Sequence, residues 1–472
     1  MPDPFVAIGG DAAGLSAASK LKREDPDREV IVFEKGSWVS YAHCGTPYYV
    51  KGEVETLEDL LSLSPEEIEK RGIDLRRHHE VVGVDTDAKT VTVEGPDGTF
   101  RQAYGDLLVA TGARAATGPF NVDALPGAFT LHGLDSAAAI RAYLTPPDEF
   151  DPGAVSAYAD RDAIERYGHL VPPERAAVVG GGYVGVEMAE ALVTRGLDVT
   201  LFQRSGSILP PFGEAVGETV TDHLHEHGVT VRTDTAVSGI EGEDRVETVV
   251  HDDGRLDAGL AIVGIGIRPN VEFLEGALDL GDSGAIATDE YGRTSVPNVH
   301  AAGDCAETPH AVTGDPEWVP LGLTANRAGR AIGQTVTGNP EPVGEIVGTA
   351  LVKAFDLGAG RAGIVDEDRA RAAGFDPVAK TITAGSRSGY YPGAAEMTVT
   401  LVGDRKSGRL LGGATVGEDR AAKRVDTVAT ALSAGLTVPE VERLDLGYAP
   451  PFSPVWDPVL VAAKVLSGDL PA

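Results

Sequence analysis

Cys44 is the residue of this 472-residue chain whose type and setting point most directly to chemistry. It lies in the segment Ser40-Tyr41-Ala42-His43-Cys44-Gly45-Thr46-Pro47-Tyr48, and the chain has one other cysteine, Cys305. A thiol changes oxidation state only with a second sulfur or an oxygen as its partner. Two cysteines this far apart indicate neither a disulfide framework nor a zinc site. We therefore predict no metal site and expect the redox partner of Cys44 to come from another molecule.

The elements that would position Cys44 begin with a glycine-rich turn between two buried strands. The apolar run Phe5-Val6-Ala7-Ile8 precedes the turn, a helical stretch follows it, and the run Val30-Ile31-Val32-Phe33 ends at Glu34. In such strand–helix–strand units, a dinucleotide pyrophosphate meets the helix N-terminus and the acid bonds the ribose. The residues we expect to bind this dinucleotide are Gly9, Gly10, Asp11, Ala13, Gly14, Glu34 and Lys35, with Asp11 standing where the pattern has its middle glycine.

A second copy of the unit follows in the middle of the chain. The run Ala176-Ala177-Val178-Val179 leads into Gly180-Gly181-Gly182-Tyr183-Val184-Gly185, and the strand Val199-Thr200-Leu201-Phe202 ends in Gln203-Arg204 instead of an acid. Without a carboxylate to repel a 2′-phosphate, and with an arginine to pair with it, this unit favours NADPH over NADH. A merely solvated Arg204 is the alternative. The residues expected to bind the nicotinamide dinucleotide are Gly180, Gly182, Tyr183, Gly185, Glu187, Gln203 and Arg204.

Two further segments complete a series of four ordered motifs. Residues 106–112, Asp-Leu-Leu-Val-Ala-Thr-Gly, form a buried strand that turns at glycine, and residues 294–304 place Asp304 at a strand end. With these motifs the chain resembles the two-dinucleotide-fold flavoprotein disulfide reductases over essentially its whole length. The resemblance implies an α/β fold of the glutathione-reductase type, with two Rossmann-like domains and a C-terminal α+β dimerisation domain. It implies FAD in the first unit and NADPH, or NADH, in the second, and it assigns Thr111, Gly112, Gly303 and Asp304 to FAD binding.

The same resemblance divides the chain into domains. We expect an FAD-binding domain at residues 1–117 and 258–344, a NAD(P)H-binding domain at 118–257, and a dimerisation domain at 345–472. Residues 145–175 are rich in proline and acidic residues and are expected to be a surface insertion between the two units.

The surroundings of Cys44 narrow the branch of the family. Tyr49 stands five positions after Cys44, where glutathione-reductase-like members carry a second cysteine. The chain therefore resembles the single-cysteine branch, and most of all the coenzyme A-disulfide reductases, which usually have asparagine where this chain has His43. An imidazolium at that position would also stabilise a thiolate. The resemblance implies that substrate is bound by Lys22, Arg23, Ser40 and His43, although a solvated helix face explains Lys22 and Arg23 equally well.

The C-terminal third carries two tyrosine motifs, Tyr390-Tyr391-Pro392-Gly393 and Gly447-Tyr448-Ala449-Pro450. In coenzyme A-disulfide reductases, tyrosines from these motifs reach towards the cysteine of the other subunit. The resemblance thus implies a homodimer and a catalytic role for Tyr448 and for Tyr390 or Tyr391. Tyr183 is expected to cover the flavin as a lid. Buried tyrosines with satisfied hydroxyls are the alternative for the C-terminal motifs.

The implied reaction is the reduction of coenzyme A disulfide, or a similar small disulfide, by NAD(P)H through Cys44. Oxidases and peroxidases of this branch carry a histidine where this chain has Ala12, so those activities rank lower. Persulfide reduction by the same cysteine is a further alternative, as is a flavoprotein that senses NAD(P)H with little turnover. Cys305, next to Asp304, is expected to be a packed residue.

The charge of the chain excludes some partners. Asp and Glu number 72 against 40 Lys and Arg, a formal net charge of −32 that is spread through the sequence. A dispersed excess indicates an acidic solvated surface, as in halophilic proteins, with an ordinary acidic enzyme as the alternative. Nucleic acid is not an expected partner, because binding its backbone needs clustered Lys and Arg. With no apolar run near the roughly 20 residues of a membrane span and no secretory signal, we expect a cytoplasmic protein without a membrane partner.

Overall fold

Three five-stranded sheets, two parallel and one antiparallel, organise the chain in the computed structural model, which describes residues 3–122, 125–274 and 276–470. Each sheet belongs to one of the three units expected from the sequence, and the α/β fold class is confirmed. Among the described residues, no helix combines the length and the apolar character needed to cross a bilayer.

The first parallel sheet is built from the buried runs that flank the first glycine turn. Its strands lie in the spatial order Val299–Ala301, Asp106–Val109, Phe5–Ile8, Val30–Glu34 and Asp74–Arg77. The elements that cover it are the helices Ala12–Glu24 and Gly322–Thr335 on one face and the antiparallel strands Glu80–Asp85, Thr90–Gly95 and Gly98–Ala103 on the other. Because both faces are covered, successive residues of the central strands are all buried, which explains their continuous apolar runs.

The second parallel sheet repeats this plan. Its strands lie in the order Val229–Arg232, Asp198–Phe202, Arg175–Val179, Leu260–Val263 and Ala128–Phe129. The elements that cover it are the helices Leu134–Tyr143, Tyr183–Thr194 and Glu214–Glu226 and the antiparallel strands Val237–Glu241, Thr248–His251 and Gly254–Asp257. Leu260–Val263 pairs with Arg175–Val179, so the expected division at 257/258 separates a strand from its own sheet. We propose that the second unit continues through Val263.

The third sheet is antiparallel, in the order Ala350–Ala354, Leu357–Gly363, Leu410–Gly417, Glu396–Asp404 and Pro377–Gly385. The helices of this unit are Glu367–Ala372, Ala421–Ser433, Val438–Glu442 and Pro458–Ser467. The other elements are the helices Thr46–Lys51, Pro65–Glu69 and Arg161–Gly168, the strand pairs Ala113–Ala115 with Ile267–Pro269 and Thr308–Pro309 with Pro316–Glu317, and 3₁₀ turns at His43–Gly45, Glu58–Leu60, Pro152–Ala154, Pro210–Phe212 and Glu272–Leu274.

The expected insertion, residues 145–175, lies across the junction of the first two units. The ring of Tyr158 packs edge-on against Trp38 of the first unit, with 5.8 Å between centroids. Asp135 of the second unit accepts hydrogen bonds from Trp38 Nε1 and from the Asp160 backbone N–H, each at 3.0 Å. The insertion is therefore a bridge between two units.

A single apolar core also crosses all three units. Trp38 and Val50 of the first unit, Leu192 and Ile262 of the second, and Val352 of the third are buried in one continuous cluster. The helix Thr46–Lys51, directly after Cys44, packs on the helix Tyr183–Thr194 in this core. The position of Cys44 is thereby fixed relative to the second unit.

Candidate active site

The first glycine turn has the close backbone approach that a dinucleotide site requires. Gly9 has φ +114°, and a Cβ there would overlap the carbonyl oxygen of Ala110. A Cβ at Gly14 would in turn overlap the carbonyl oxygen of Gly9, so the helix can begin this close to the strand only with glycine. Gly180 and Gly185 repeat both relations in the second unit, with Gly264 in place of Ala110.

The residues that end the second strand of each unit make the same hydrogen bond. Glu34 Oε2 accepts from the Gly10 N–H at 2.9 Å, and Gln203 Oε1 accepts from the Gly181 N–H at the same distance. Burial raises the pKa of Glu34, although the N–H groups of Gly10 and Gly36 oppose that shift. Gln203 thus accepts the same backbone hydrogen bond as the acid Glu34. Unlike an acid, it adds no negative charge where the ribose of a dinucleotide would bind.

The helices that follow both glycine turns leave their first N–H groups to a ligand. Neither Asp11 nor Gly182, at the two N-caps, forms a side-chain capping bond, and neither first turn contains an acidic residue. The Asp11 carboxylate instead accepts from the Tyr41 N–H at 3.1 Å and contacts His43 Nε2 at 2.6 Å. Two uncapped helix N-termini suit two pyrophosphates. Asp11 replaces the usual glycine without blocking the first of them.

The other residues expected around FAD surround the same turn. Thr111 Oγ1 donates to the carbonyl of Asn270 at 2.7 Å, and Gly112, with φ +63°, accepts from the Asn270 N–H. Asp304 lies at the start of the turn after Val299–Ala301, and burial raises the pKa of its carboxyl, opposed by His43. Ala13 is buried against Gly303 and Gly329, so it packs two helices together, and Lys35 is exposed. The first unit therefore fits a dinucleotide cofactor.

Cys44 is exposed in the 3₁₀ turn His43–Gly45. Partial burial and the nearby carboxylates of Glu187 and Asp304 raise the pKa of the Cys44 thiol. The following helix, Thr46–Lys51, has only six residues. The chain itself therefore raises the pKa of this thiol, whereas an imidazolium at position 43 was expected to stabilise the thiolate.

His43 faces the first glycine turn. Its Nε2 contacts Asp11, and its Nδ1 lies 3.0 Å from the carbonyl oxygen of His132. Burial would lower the pKa of His43, but these two partners raise it overall. An acceptor on both ring nitrogens requires two N–H donors, so the contacts favour the imidazolium. The role of His43 in this structure is to hold the Cys44 segment against the glycine turn.

Glu187 lies close to Cys44 and has an unusual ionisation state. Burial raises the pKa of Glu187 to about 7, and its Oε1 accepts from the Tyr48 O–H at 3.0 Å. Glu187 was expected only as a cofactor contact. Its position on the dinucleotide helix gives no signal of the thiol nearby, because the two residues are 143 positions apart in sequence.

A buried carboxylate next to Glu187 links the three units. Glu190 contacts Lys51 Nζ at 2.7 Å, Lys353 Nζ at 2.5 Å, and the Phe355 N–H at 2.7 Å. Although burial opposes ionisation, these partners hold the pKa of Glu190 below its ordinary value. Lys51 ends the helix that begins after Cys44, so this network anchors the thiol-bearing segment.

A cavity of about 380 Å³ opens beside the Cys44 segment. Among its lining residues are Asp11, Ser40, Tyr41 and three arginines, Arg23, Arg71 and Arg330. Three guanidinium groups in one cavity of so acidic a protein indicate an anionic ligand. Arg71 and Arg330 were not anticipated, because Arg71 lies between the helix Pro65–Glu69 and the strand Asp74–Arg77 and Arg330 is 307 residues after Arg23.

The structure contradicts the expected role of Lys22. Its Nζ donates to the carbonyl oxygens of Pro26 at 2.7 Å and Arg28 at 2.9 Å. Lys22 therefore satisfies backbone acceptors beyond the end of its helix instead of lining the cavity. Arg23 and Ser40 do line it.

The three C-terminal tyrosines lie in an exposed aromatic patch. Its large exposed side chains are Tyr390, Tyr391, Tyr448, Phe452, Val455 and Trp456. Arg424 joins the two segments, since its Nη2 donates to the carbonyl oxygens of Ser386 at 2.6 Å and Phe452 at 3.1 Å. Its Nε also pairs with Asp457 at 2.9 Å. The two motifs, far apart in sequence, therefore form one surface, and their exposure disfavours the alternative of buried tyrosines.

Tyr183 begins the second dinucleotide helix and is partly buried. Its hydroxyl accepts from Arg361 Nε at 3.1 Å, and its ring packs on Phe212 with centroids 5.4 Å apart.

Cys305 is fully buried, with its Sγ 3.4 Å from the carbonyl oxygens of Val109 and Ala302. Cys305 is therefore a packed residue, as expected, and is inaccessible to substrate.

Two families of known proteins match the chain. The family described as pyridine nucleotide-disulphide oxidoreductase matches residues 4–324, and the dimerisation domain of that family matches residues 349–458. Together they span most of the chain.

Curated relatives share almost the full length. A protein of Pyrococcus horikoshii named NAD(P)H coenzyme A polysulfide/persulfide reductase is 39% identical, over 99% of both chains. A coenzyme A disulfide reductase of Staphylococcus haemolyticus is 29% identical, over 95% of this chain and 96% of the relative.

Solved structures show the same fold. An NAD-dependent persulfide reductase from A. fulgidus has a TM-score of 0.89 and 35% identity, covering 98% of this chain and 83% of that one. A water-forming NADH oxidase from Lactobacillus brevis, bound to NADH, has a TM-score of 0.87 and 25% identity, covering 99% and 98%. An engineered NADPH oxidase made from it, bound to NADPH, also has a TM-score of 0.87 and 25% identity, covering 98% of each chain.

Proposed function

From the premise that this chain belongs to the pyridine nucleotide-disulphide oxidoreductase family, we propose that it uses NADPH to reduce coenzyme A disulfide through Cys44. The chain is an oxidoreductase whose family uses FAD and NAD(P)H. The observation that carries the finer proposal is the pairing of one accessible thiol, Cys44, with the arginine-lined cavity beside its segment.

The residues of the first unit would hold FAD, and those of the second would hold the nicotinamide dinucleotide. Gly9, Gly14 and the uncapped helix Ala12–Glu24 would admit the pyrophosphate of FAD. Glu34 and Asp304 would offer carboxylates to the hydroxyl groups of FAD. When bound, FAD supplies the electron pair that reduces sulfur. Tyr183, at the start of the second helix, would act as the lid over the flavin.

The chain's own part in the reaction is thiol–disulfide exchange at Cys44. The Cys44 thiolate attacks one sulfur of coenzyme A disulfide, which forms a mixed disulfide and releases one coenzyme A thiolate. That thiolate takes up a proton. Two electrons and a proton then convert the mixed disulfide to the Cys44 thiolate and a second coenzyme A thiol. Cys305 takes no part, because it is buried.

The cavity beside the Cys44 segment supports coenzyme A as the carrier of the disulfide. Arg23, Arg71 and Arg330 offer guanidinium groups to phosphates. Ser40, which precedes Cys44 in the same segment, also lines this cavity. A small uncharged disulfide would gain nothing from three arginines. The relative from Staphylococcus haemolyticus, named coenzyme A disulfide reductase, agrees with this proposal.

NADPH is favoured by the end of the strand Asp198–Phe202. Gln203 presents no charge, and among the described residues Arg204 is exposed and forms no ion pair. The engineered NADPH oxidase carries three consecutive substitutions, aspartate to alanine, alanine to arginine and methionine to serine. This chain reads Gln203-Arg204-Ser205 after its strand, the same loss of an acid followed by arginine and serine.

A homodimer completes the proposal. The match to the dimerisation domain covers residues 349–458, and the exposed aromatic patch lies within it. Exposed Phe and Trp side chains grouped in this way favour a protein interface. We place Tyr448, and Tyr390 or Tyr391, against Cys44 of the other subunit, where a phenol would protonate the leaving thiolate.

Reduction of a coenzyme A persulfide or polysulfide is the second candidate. The 39%-identical relative from Pyrococcus horikoshii is named for that activity, and its chain matches this one from end to end. The same Cys44 and the same arginines serve either substrate, so comparing kcat/KM for coenzyme A disulfide and coenzyme A persulfide separates the two activities.

The test of the proposal is to identify what Cys44 carries. We expect coenzyme A disulfide, added without oxygen to the reduced FAD-loaded enzyme, to leave one coenzyme A on Cys44 by mass analysis. NADPH should remove it. Cys44→Ser should bind FAD but lose both the adduct and the turnover, whereas Cys305→Ser keeps both. Full turnover by Cys44→Ser would refute the proposal.

A further inference from the structure

Two histidines and an aspartate meet where the second unit contacts the third. His223 lies in the last turn of the helix Glu214–Glu226, and His227 follows the helix directly. Asp356 lies between the strands Ala350–Ala354 and Leu357–Gly363. One side-chain ligand atom from each of the three residues lies within 4.8 Å of the others. The closest pair is His223 Nε2 and Asp356 Oδ1, at 2.7 Å.

The helix brings the two imidazoles together. Residues four apart share one face of a helix, and the rings of His223 and His227 have centroids 4.4 Å apart. His227 Nδ1 lies 2.9 Å from the carbonyl oxygen of His223. A carbonyl only accepts, so Nδ1 of His227 carries the proton and Nε2 keeps a lone pair for a ligand. Such a backbone bond to the second nitrogen is typical of metal-binding histidines.

The third group is held in place by a tight turn. Phe355, just before Asp356, has φ +55°, a left-handed conformation that is unfavourable for a bulky residue. Its N–H donates to Glu190 Oε2 at 2.7 Å, and its ring stacks on His227, with 4.2 Å between centroids and 14° between planes. These contacts fix the turn and present the Asp356 carboxylate to both imidazoles.

We propose that His223, His227 and Asp356 bind a divalent transition metal, of which Zn²⁺ is the best match. Two imidazoles and one carboxylate form a borderline ligand set that suits Zn²⁺, whereas Mg²⁺ and Ca²⁺ take oxygen ligands. Bonds of about 2.0–2.2 Å place tetrahedral ligand atoms about 3.3 Å apart. The His223–Asp356 pair must open slightly from 2.7 Å and the wider pairs must close, which side-chain rotations accomplish. A water molecule completes the fourth position.

A simple ion pair between His223 and Asp356 explains less of this arrangement. An ion pair accounts for His223 and Asp356 but gives no role to His227, whose ring offers a third ligand atom to the same cluster. A metal ion would accept one lone pair from each ring, which accounts for both imidazoles. Glu226 Oε2, 3.9 Å from His223 Nδ1, lies on the side opposite the metal position and faces the remaining N–H.

Metal at this site would join two units. The histidines belong to the helix of the second unit, and Asp356 belongs to the first hairpin of the third. The same hairpin holds Glu190 through the Phe355 N–H, and Glu190 binds Lys51 after the Cys44 segment. The metal would therefore have a structural role, linking the second unit to the third, with no part in electron transfer. Its binding should raise the thermal midpoint of the FAD-loaded enzyme.

The test measures zinc binding to the FAD-loaded enzyme with Cys44→Ser as background, so that the exposed thiol contributes nothing. Chelator-treated protein is titrated with zinc chloride by calorimetry, with millimolar Mg²⁺ present to occupy the acidic surface. Metal content is then measured by mass spectrometry. We expect one zinc per chain and a higher thermal midpoint.

The variants are His227→Gln and Asp356→Asn, each of which removes one ligand. Each should weaken zinc binding at least tenfold and abolish the thermal shift. His225→Gln is the matched control, because this exposed histidine lies on the same helix but outside the cluster, and it should bind zinc as the background does. FAD content and circular dichroism verify folding. Failure of the background to bind one zinc, or unchanged binding in both ligand variants, would overturn the proposal.

Discussion

At the residue scale, two carboxylates that are distant from Cys44 in sequence act on its thiol. Glu187 and Asp304 both disfavour its thiolate, and His43 is occupied by Asp11. Glu187 itself titrates near neutrality, with a pKa of about 7. As the pH rises through that value, Glu187 gains a negative charge that makes ionisation of Cys44 harder. The charge of Glu187 therefore raises the pKa of the Cys44 thiol.

Replacing Glu187 by glutamine should make Cys44 more reactive at lower pH. The amide keeps an acceptor for the Tyr48 O–H but carries no charge, so the pKa of Cys44 should fall. The measurement is the pH dependence of Cys44 alkylation by iodoacetamide in the reduced, FAD-loaded enzyme. Glu58→Gln, a change at a carboxylate that does not shift the pKa of Cys44, is the control. An unchanged pH profile in Glu187→Gln would show that Glu187 does not act on the thiol.

We also expect single residues to decide the choice between NADPH and NADH. Gln203→Glu can keep the bond to the Gly181 N–H, because Glu34 makes the same bond to Gly10. The new carboxylate should repel the 2′-phosphate and lower kcat/KM for NADPH at least about tenfold, ~1.4 kcal/mol, relative to NADH. Arg204→Ala should weaken NADPH alone. Steady-state kinetics with both nucleotides measure these effects, and a wild-type preference for NADH would contradict the assignment of Arg204.

At the element scale, one buried carboxylate connects three elements that the sequence places far apart. Glu190 lies in the helix Tyr183–Thr194. It pairs with Lys51 of the helix Thr46–Lys51 and with Lys353 of the strand Ala350–Ala354. Because the folded-state pKa of Glu190 is lowered, its stabilisation is present above the ordinary carboxyl pKa and is lost as the pH falls through the lowered value.

Glu190→Gln should therefore destabilise the protein at neutral pH. The amide removes the charge that Lys51 and Lys353 share, and it leaves the largely buried Lys51 only the exposed Glu53 as a charged partner, a cost of about 3 kcal/mol. The thermal midpoint should fall by several degrees at pH 7, and the difference from wild type should shrink in acid. Glu53→Gln, which removes only an exposed partner of Lys51, should have little effect. Equal midpoints for Glu190→Gln and wild type at pH 7 would argue against this role.

The elements also show what a sequence can and cannot predict. The two dinucleotide units were predictable because strand, turn, helix and second strand are contiguous, and Gly9 and Gly180 are required by local backbone geometry. Arg71 and Arg330 were not, since only tertiary packing brings them beside Arg23. The expectation for Lys22 failed because a nearby turn offered two carbonyl acceptors. Local geometry can be predicted from sequence, whereas partners chosen by packing cannot.

At the scale of the whole molecule, charge and the aromatic patch oppose each other in assembly. Two chains of −32 repel at low ionic strength, while Tyr448, Phe452 and Trp456 lose exposed apolar surface on contact. We expect dimer content and activity to rise together with salt, because molar salt shortens the screening length to about 3 Å. Light scattering and turnover across a salt series measure this.

Tyr448→Phe separates catalysis from assembly in that experiment. The phenyl ring keeps the apolar surface, so the variant should dimerise like wild type but turn over more slowly. Full activity in a confirmed monomer would contradict the shared site, and a fully active dimer in dilute buffer would contradict the role of charge.

The core that runs from Trp38 through Leu192 to Val352 has a consequence for how this protein can be divided. Its three units resemble separate modules in sequence, yet each buries part of its apolar surface only against the others. A fragment cut at a sheet boundary would expose that surface and separate Glu190 from the lysines of the other two units. The second unit therefore could not be moved alone onto another scaffold without redesign of the face that Trp38 and Val50 of the first unit now cover.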